Sequence, residues 1–127
     1  MRNILILLLT VLALSSLPGC KKQQTIFEVL VGDWGLAQAN RNGIVYNYNG
    51  DEYTWAIYGC DNTCQASVIY TNPTPGNYDA SFRVSGDEKW LIKDSGDSLE
   101  ILELNNSTLA TRYRSIGVLQ IETWYRK

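Results

Sequence analysis

Two cysteines four positions apart, Cys60 and Cys64, flank the polar segment Asp-Asn-Thr in the stretch YGCDNTCQ. Cysteines spaced this way serve as half of a zinc site, as a thiol redox pair or as a disulfide. A closed zinc site takes four ligands, and the chain has no histidine and only one further cysteine, Cys20. The missing imidazole also removes Ser-His and Cys-His nucleophile pairs. A redox pair favours Cys-x-x-Cys at a helix start, whereas this spacing is one longer and lies in a hairpin-like context. Carboxylate pairs remain for acid–base work: Asp51 with Glu52, Asp87 with Glu88, and Asp94 with Asp97. Each sits among turn-forming residues, where acidic side chains are normally solvated. No catalytic residue, metal or cofactor is therefore expected, and the chain reads as a non-enzyme.

What the cysteines do depends on the compartment, and the start of the chain addresses that. Met-Arg-Asn precedes a nearly unbroken apolar run over residues 4–17. One positive charge before such a run has the form of a secretory signal. It falls short of the roughly 20 apolar residues a spanning helix needs. The run ends in Leu17-Pro18-Gly19-Cys20, which resembles a bacterial lipobox. The resemblance implies removal of residues 1–19, a diacylglyceryl group on Cys20, and acylation (palmitate or a similar chain) of the new amino terminus. Several acyl chains anchor stably, since each buried methylene adds roughly 0.8 kcal/mol and one chain alone is marginal. The next residue is Lys21 rather than aspartate, which lipoprotein sorting rules associate with the outer membrane of the bacterial envelope. With Cys20 lipidated in an oxidising compartment, Cys60 and Cys64 are left to bond each other. Their five-residue ring is worth roughly 2 kcal/mol by the chain-entropy account.

Residues 20–25 then form the lipidated cysteine and a short polar tether, and residues 26–127 a single domain. The net charge of −2 includes Arg2, so residues 20–127 carry −3. With no basic block or stripe, nucleic acid is not an expected partner. Ile26, Phe27, Val29 and Leu30 have helical spacing, which predicts one or two helical turns before the first strand. From Asp33 onward alternation takes over, with turn chemistry every eight to twelve residues. Asn-Gly, Ser-Gly-Asp and Asn-Asn-Ser segments supply the positive φ that tight hairpins require. The partition gives eight or nine short antiparallel strands.

Alternation groups Tyr46 with Tyr48, Tyr53 with Trp55 and Ile57, and Ala66 with Val68 and Tyr70. Tyr78, Ala80, Phe82 and Val84 form a further set, then Trp90 with Ile92, and Leu109 with Thr111 and Tyr113. Around residues 99–104 the period slips, which predicts a bulge. Strands with one apolar face must hide it, and closure into an up-and-down barrel does so without leaving edges. A barrel of about eight strands is filled by side chains or holds one small ligand.

Gly32-Asp33-Trp34, opening the first strand, resembles the Gly-x-Trp signature of lipocalins. Residues 98–127 are similar to the closing hairpins of small bacterial lipocalin-like lipoproteins. That resemblance implies an antiparallel lipocalin-like barrel whose base carries Gly32, Trp34 and an arginine stacked over the tryptophan. Arg112, Arg114 and Arg126 are the candidates, and the sequence does not choose among them. The chain is much shorter than a full lipocalin, so any cup is shallow.

Two function classes follow. The first is a membrane-anchored module binding a small apolar or amphipathic ligand among Tyr46, Tyr48, Trp55, Tyr70, Phe82 and Trp90. In that reading the Cys60–Cys64 loop borders the mouth of the cup. The second is a ligand-free envelope lipoprotein acting through protein contacts. One version is a lysozyme-inhibitor-like barrel, whose opening motif the Tyr58, Cys60, Val68 and Tyr70 pattern resembles. The inhibitory loops of that family are not reproduced.

Overall fold

The computed structural model describes residues 25–71 and 74–127, and the lipobox and signal therefore lie outside the described residues. Helix α1 (Ile26–Leu30) precedes nine strands: β1 (Gly32–Arg41), β2 (Ile44–Asn47), β3 (Tyr53–Asp61), β4 (Thr63–Tyr70) and β5 (Gly76–Val84), then β6 (Trp90–Lys93), β7 (Ser98–Leu104), β8 (Thr108–Ser115) and β9 (Val118–Arg126). The expected helical turn is present. Thr25 and Glu28 form a reciprocal capping box that lets so short a helix hold.

Every pairing is antiparallel and joins chain neighbours, except that β1 and not β2 pairs with β3 and that β1 also pairs with β9. That last pairing closes β1 and β3–β9 into an eight-stranded barrel, leaving β2 as an extra strand. β1 uses its first half to pair with β3 and its second half to pair with β2. The chain passes between them against β1, with Tyr48 N–H donating to Ala37 O and Gly50 N–H to Leu36 O. Gly35 permits this approach, since any Cβ there would strike the Gly50 backbone.

Three bulges interrupt the ladders. One falls between Ile101 and Glu103 on β7, where the slip in the pattern predicts it. A second lies between Ile57 and Gly59 on β3, just before the disulfide. The third, between Leu36 and Gln38 on β1, is not marked in the hydrophobic pattern. It moves the inward face from Trp34 and Leu36 to Ala39 and Arg41.

Strand directions define two ends. α1, the Cys60–Cys64 turn, the β5–β6 turn and the β7–β8 turn gather at one end. The tips of β1–β2, β4–β5, β6–β7 and β8–β9 gather at the other. The first end is filled: Leu30, Trp34, Ile57, Cys64, Phe82, Leu91 and Leu109 are essentially inaccessible and form one cluster. The second end is the mouth.

Candidate functional site

At the closed end one arginine organises the base. The Arg126 guanidinium lies over the Trp34 ring, 4.3 Å from its centre. Its Nη1–H donates to Val31 O at 2.9 Å, its Nε–H to Asn106 O at 2.7 Å, and Nη2–H to Val29 O. Those carbonyls belong to the end of α1, the residue after it, and the β7–β8 turn. One side chain thus ties three segments to the last strand. Trp34 in turn donates its indole N–H to Leu30 O at 2.9 Å. Gly32 has φ +141°, and a Cβ there would collide with the Arg126 guanidinium. The structure therefore selects Arg126 among the three candidate arginines. Arg112 instead pairs with Glu100 at 2.6 Å, and Arg114 is exposed.

The disulfide expected between Cys60 and Cys64 is formed, joining directly opposed residues of β3 and β4. Its position differs from the expectation. It lies at the closed end, with Cys64 fully buried in the core and paired across the sheet with Phe82, and not at the mouth. The strand directions decide this, because β3 runs from the mouth to the base.

Above the filled base a cavity of about 230 Å³ occupies the mouth half of the barrel. Its floor and walls include Leu36, Trp55, Val68, Ala80, Phe82 and Trp124. Trp55 packs on both Phe82 and Trp124, with ring centres 5.4 and 5.8 Å apart. Tyr48 and Tyr53 meet edge to face at 5.4 Å on one side of the cavity. Polar side chains ring the upper part: Arg41, Tyr78, Lys93 and Glu122.

Burial raises the Glu122 pKa above the ordinary glutamate value; Gln120, Lys93, Trp124 and Arg41 oppose that shift. Gln120 donates to the Glu122 carboxylate. Burial also raises Tyr78, and the charge of Glu122 adds to it. The interior of the mouth is thus a small, mostly apolar chamber with a few charged groups near its opening. Pockets with that distribution hold and orient small ligands. Among the described residues no cluster of His, Cys, Asp and Glu could hold a metal ion.

Of the six residues expected to bind ligand, the cavity brings together Tyr48, Trp55 and Phe82. Tyr70 is half-buried at the mouth end of β4, against Gly76, and does not line the cavity. Tyr46 is 42% exposed on β2, outside the closed barrel, where Arg41 stacks over it. Trp90 is 39% exposed on the outer face, because β6 runs in the opposite phase from the one expected. Leu91 and Lys93 face inward on that strand. The phase is set by the preceding turn, where the Ser85 side chain accepts from Lys89 N–H and Trp90 N–H, and Glu88 takes φ 59°. Sequence reasoning missed Glu122 and Trp124. On β9 the apolar alternation of Leu119 and Ile121 points to the other face, but the signal of a lone Trp two residues after a Glu was present.

No protein-family profile matches the chain, and no curated protein does. Solved structures of similar fold include the following three. Japanin from Rhipicephalus appendiculatus, solved bound to cholesterol, aligns with a TM-score of 0.60 over 81% of this chain and 79% of its own, at 12% identity. A de novo designed fluorescence-activating β-barrel gives 0.55 over 83% and 100%, at 11% identity. A lipocalin-like protein from Bacteroides uniformis gives 0.53 over 77% and 97%, at 16% identity. Likeness at these identities concerns the fold alone: the chain folds as a lipocalin-like antiparallel barrel.

Proposed function

We propose that this chain is a lipid-anchored, lipocalin-like lipoprotein of the bacterial envelope that binds a small apolar or amphipathic ligand in its barrel. The observation that carries the reading is the cavity of about 230 Å³ above a fully packed base, walled by aromatic and aliphatic side chains. A barrel serving only as a scaffold gains stability by filling that space, since empty apolar volume costs stability. Japanin, of similar fold, was solved with cholesterol, which supports ligand capture as a use of such barrels. The Leu-Pro-Gly-Cys sequence ending at Cys20 supports the anchor, and Lys21 supports the outer membrane. The reading is one of binding and not of catalysis.

Native mass spectrometry of the protein purified from its host, followed by solvent extraction, tests the ligand. A bound small molecule is expected. A ligand-free species whose melting does not respond to fatty acids or small aromatic compounds would leave the ligand-free, protein-contact reading in its place. Fractionation tests the anchor separately: Cys20→Ala is expected to move the protein from the membrane to the soluble fraction, and an unchanged membrane fraction would refute lipidation at that residue.

A further inference from the structure

Trp90 is the exposed member of the four tryptophans: it is 39% accessible, against 0%, 5% and 6% for Trp34, Trp55 and Trp124. It stands outside the barrel because the turn held by Ser85 fixes the phase of β6. The ladder register then sets its neighbours. Trp90 lies directly opposite Glu100 on β7, and Glu100 directly opposite Arg112 on β8. Directly opposed residues point to the same face of a sheet. With adjacent strands about 4.8 Å apart, the three side chains form one row of roughly 10 Å across the outer wall.

The far end of that row is fixed by an ion pair. Arg112 Nε–H and Nη2–H, at 2.8 and 2.6 Å, both donate to the same carboxylate oxygen, Glu100 Oε2. Glu100 Oε1, an acceptor, and Arg112 Nη1, a donor, are left without a partner among the described residues. Past this pair β7 and β8 separate: Ser98 pairs with β6 and Arg114 with β9, and not with each other. A groove of about 620 Å³ opens there, lined by Trp90 and by Asp97, Glu100, Arg112 and Arg114, whose charges cancel.

We infer that this groove binds a short neutral saccharide, one ring stacked on Trp90 and the hydroxyls of the next bonded to Glu100 and Arg112. A sugar ring has an apolar C–H face and an edge of hydroxyls, each both donor and acceptor. The indole meets the face, and the unused Oε1 and Nη1 meet the edge. Balanced charge in the groove argues against a nucleic acid, which calls for a basic excess. A protein hot spot surrounds its aromatic anchor with contacts that exclude water. Here the neighbours of Trp90 in the row are charged and about one-third exposed, which favours a hydroxylated ligand that keeps water close. The groove is separate from the chamber, since Trp90, Glu100 and Arg112 do not line that cavity.

The test titrates cellotriose, triacetylchitotriose and trigalacturonate into the full chain and follows the indole N–H resonances of the four tryptophans. The expected result is saturable binding of at least one neutral trimer, with the Trp90 resonance shifting and those of Trp34, Trp55 and Trp124 unmoved. Trp90→Ala should weaken that binding at least about tenfold, by loss of one stacked aromatic face. Arg112→Ala should weaken it about fivefold. Both side chains lie on the outer wall, and thermal melts of the variants check that the fold is kept. Undiminished binding by Trp90→Ala overturns the stacking. Trigalacturonate binding as tightly as the neutral trimers overturns the neutral ligand. Shifts confined to Trp55 and Trp124 put the sugar in the chamber and overturn the groove. Failure of all three probes to move Trp90 at millimolar concentration overturns the saccharide site itself.

Discussion

The guanidinium of Arg126 lies 4.3 Å from the centre of the Trp34 ring while donating to carbonyls on either side of it. The first and last strands are thus joined by a side chain as well as by their ladder. Charged-donor hydrogen bonds contribute roughly 1.5–3 kcal/mol each in favourable settings, and a cation–π contact about 0.5–1. They share one side chain and do not add fully. Arg126→Ala is expected to cost about 2–4 kcal/mol in urea unfolding. Arg126→Lys should recover less than half, since an ammonium cannot reproduce the planar fork. Arg112→Ala, which removes a partly exposed ion pair with Glu100, should cost no more than about 1 kcal/mol. Similar losses at both positions would remove the special status of Arg126.

Gly32 faces two constraints, its φ of +141° and the guanidinium where a side chain would go. Gly117 has φ +72° and open space around it. Gly117→Ala should therefore cost only the backbone term, about 1–2 kcal/mol. Gly32→Ala should cost more, because it also displaces Arg126. Thermal melts of the two variants check the ranking, and a reversed order would refute it.

Glu122 predicts a pH dependence of stability. Burial raises its folded pKa above the ordinary value of 4.5, so the folded state holds that proton more tightly than the unfolded chain. Its contribution to stability is highest below about 4.5 and is lost as pH rises through the raised folded value. Glu122→Gln should accordingly be more stable than the parent at neutral pH, with the advantage vanishing in acid. Urea titrations of both proteins across this range provide the comparison. A difference that stays constant with pH would contradict the assignment.

Reducing the Cys60–Cys64 bond is expected to lower stability by at most about 2 kcal/mol, because the ring it closes is small. The bond sits at the closed end and none of its atoms lines the cavity. Affinity for a cavity ligand should thus be unchanged by reductant, as titration with and without dithiothreitol would show. Weakened binding would indicate that the base and the mouth are coupled.

The barrel was legible because most strands alternate cleanly: Tyr53, Trp55 and Ile57 on β3, and Tyr78, Ala80 and Phe82 on β5, all turn inward together. The signature at Gly32 and Trp34 located the base, but only the fold could choose Arg126 from three arginines. The mouth was harder to read, for a physical reason. Its interior is a chamber and not a packed core, so inward positions there tolerate Arg41, Lys93 and Glu122, which mimic an outward face. The β1 bulge hides Arg41 further, since shifting one residue reverses the side to which the rest of the strand points. Trp90 misled in the opposite way. A large aromatic at a strand start suggests burial, yet the turn held by Ser85 fixes the phase that leaves it outside.

Helix α1 packs under the filled base, directly after Thr25, whereas the cavity lies in the half of the barrel nearest the other end. An acyl anchor at Cys20, five residues earlier, would set the barrel base-down on the bilayer with its entrance toward the aqueous side. Cargo would then be collected from solution and not drawn laterally out of the lipid. The upper limit on what the chamber can capture becomes aqueous solubility, which favours small, sparingly polar molecules over true membrane lipids.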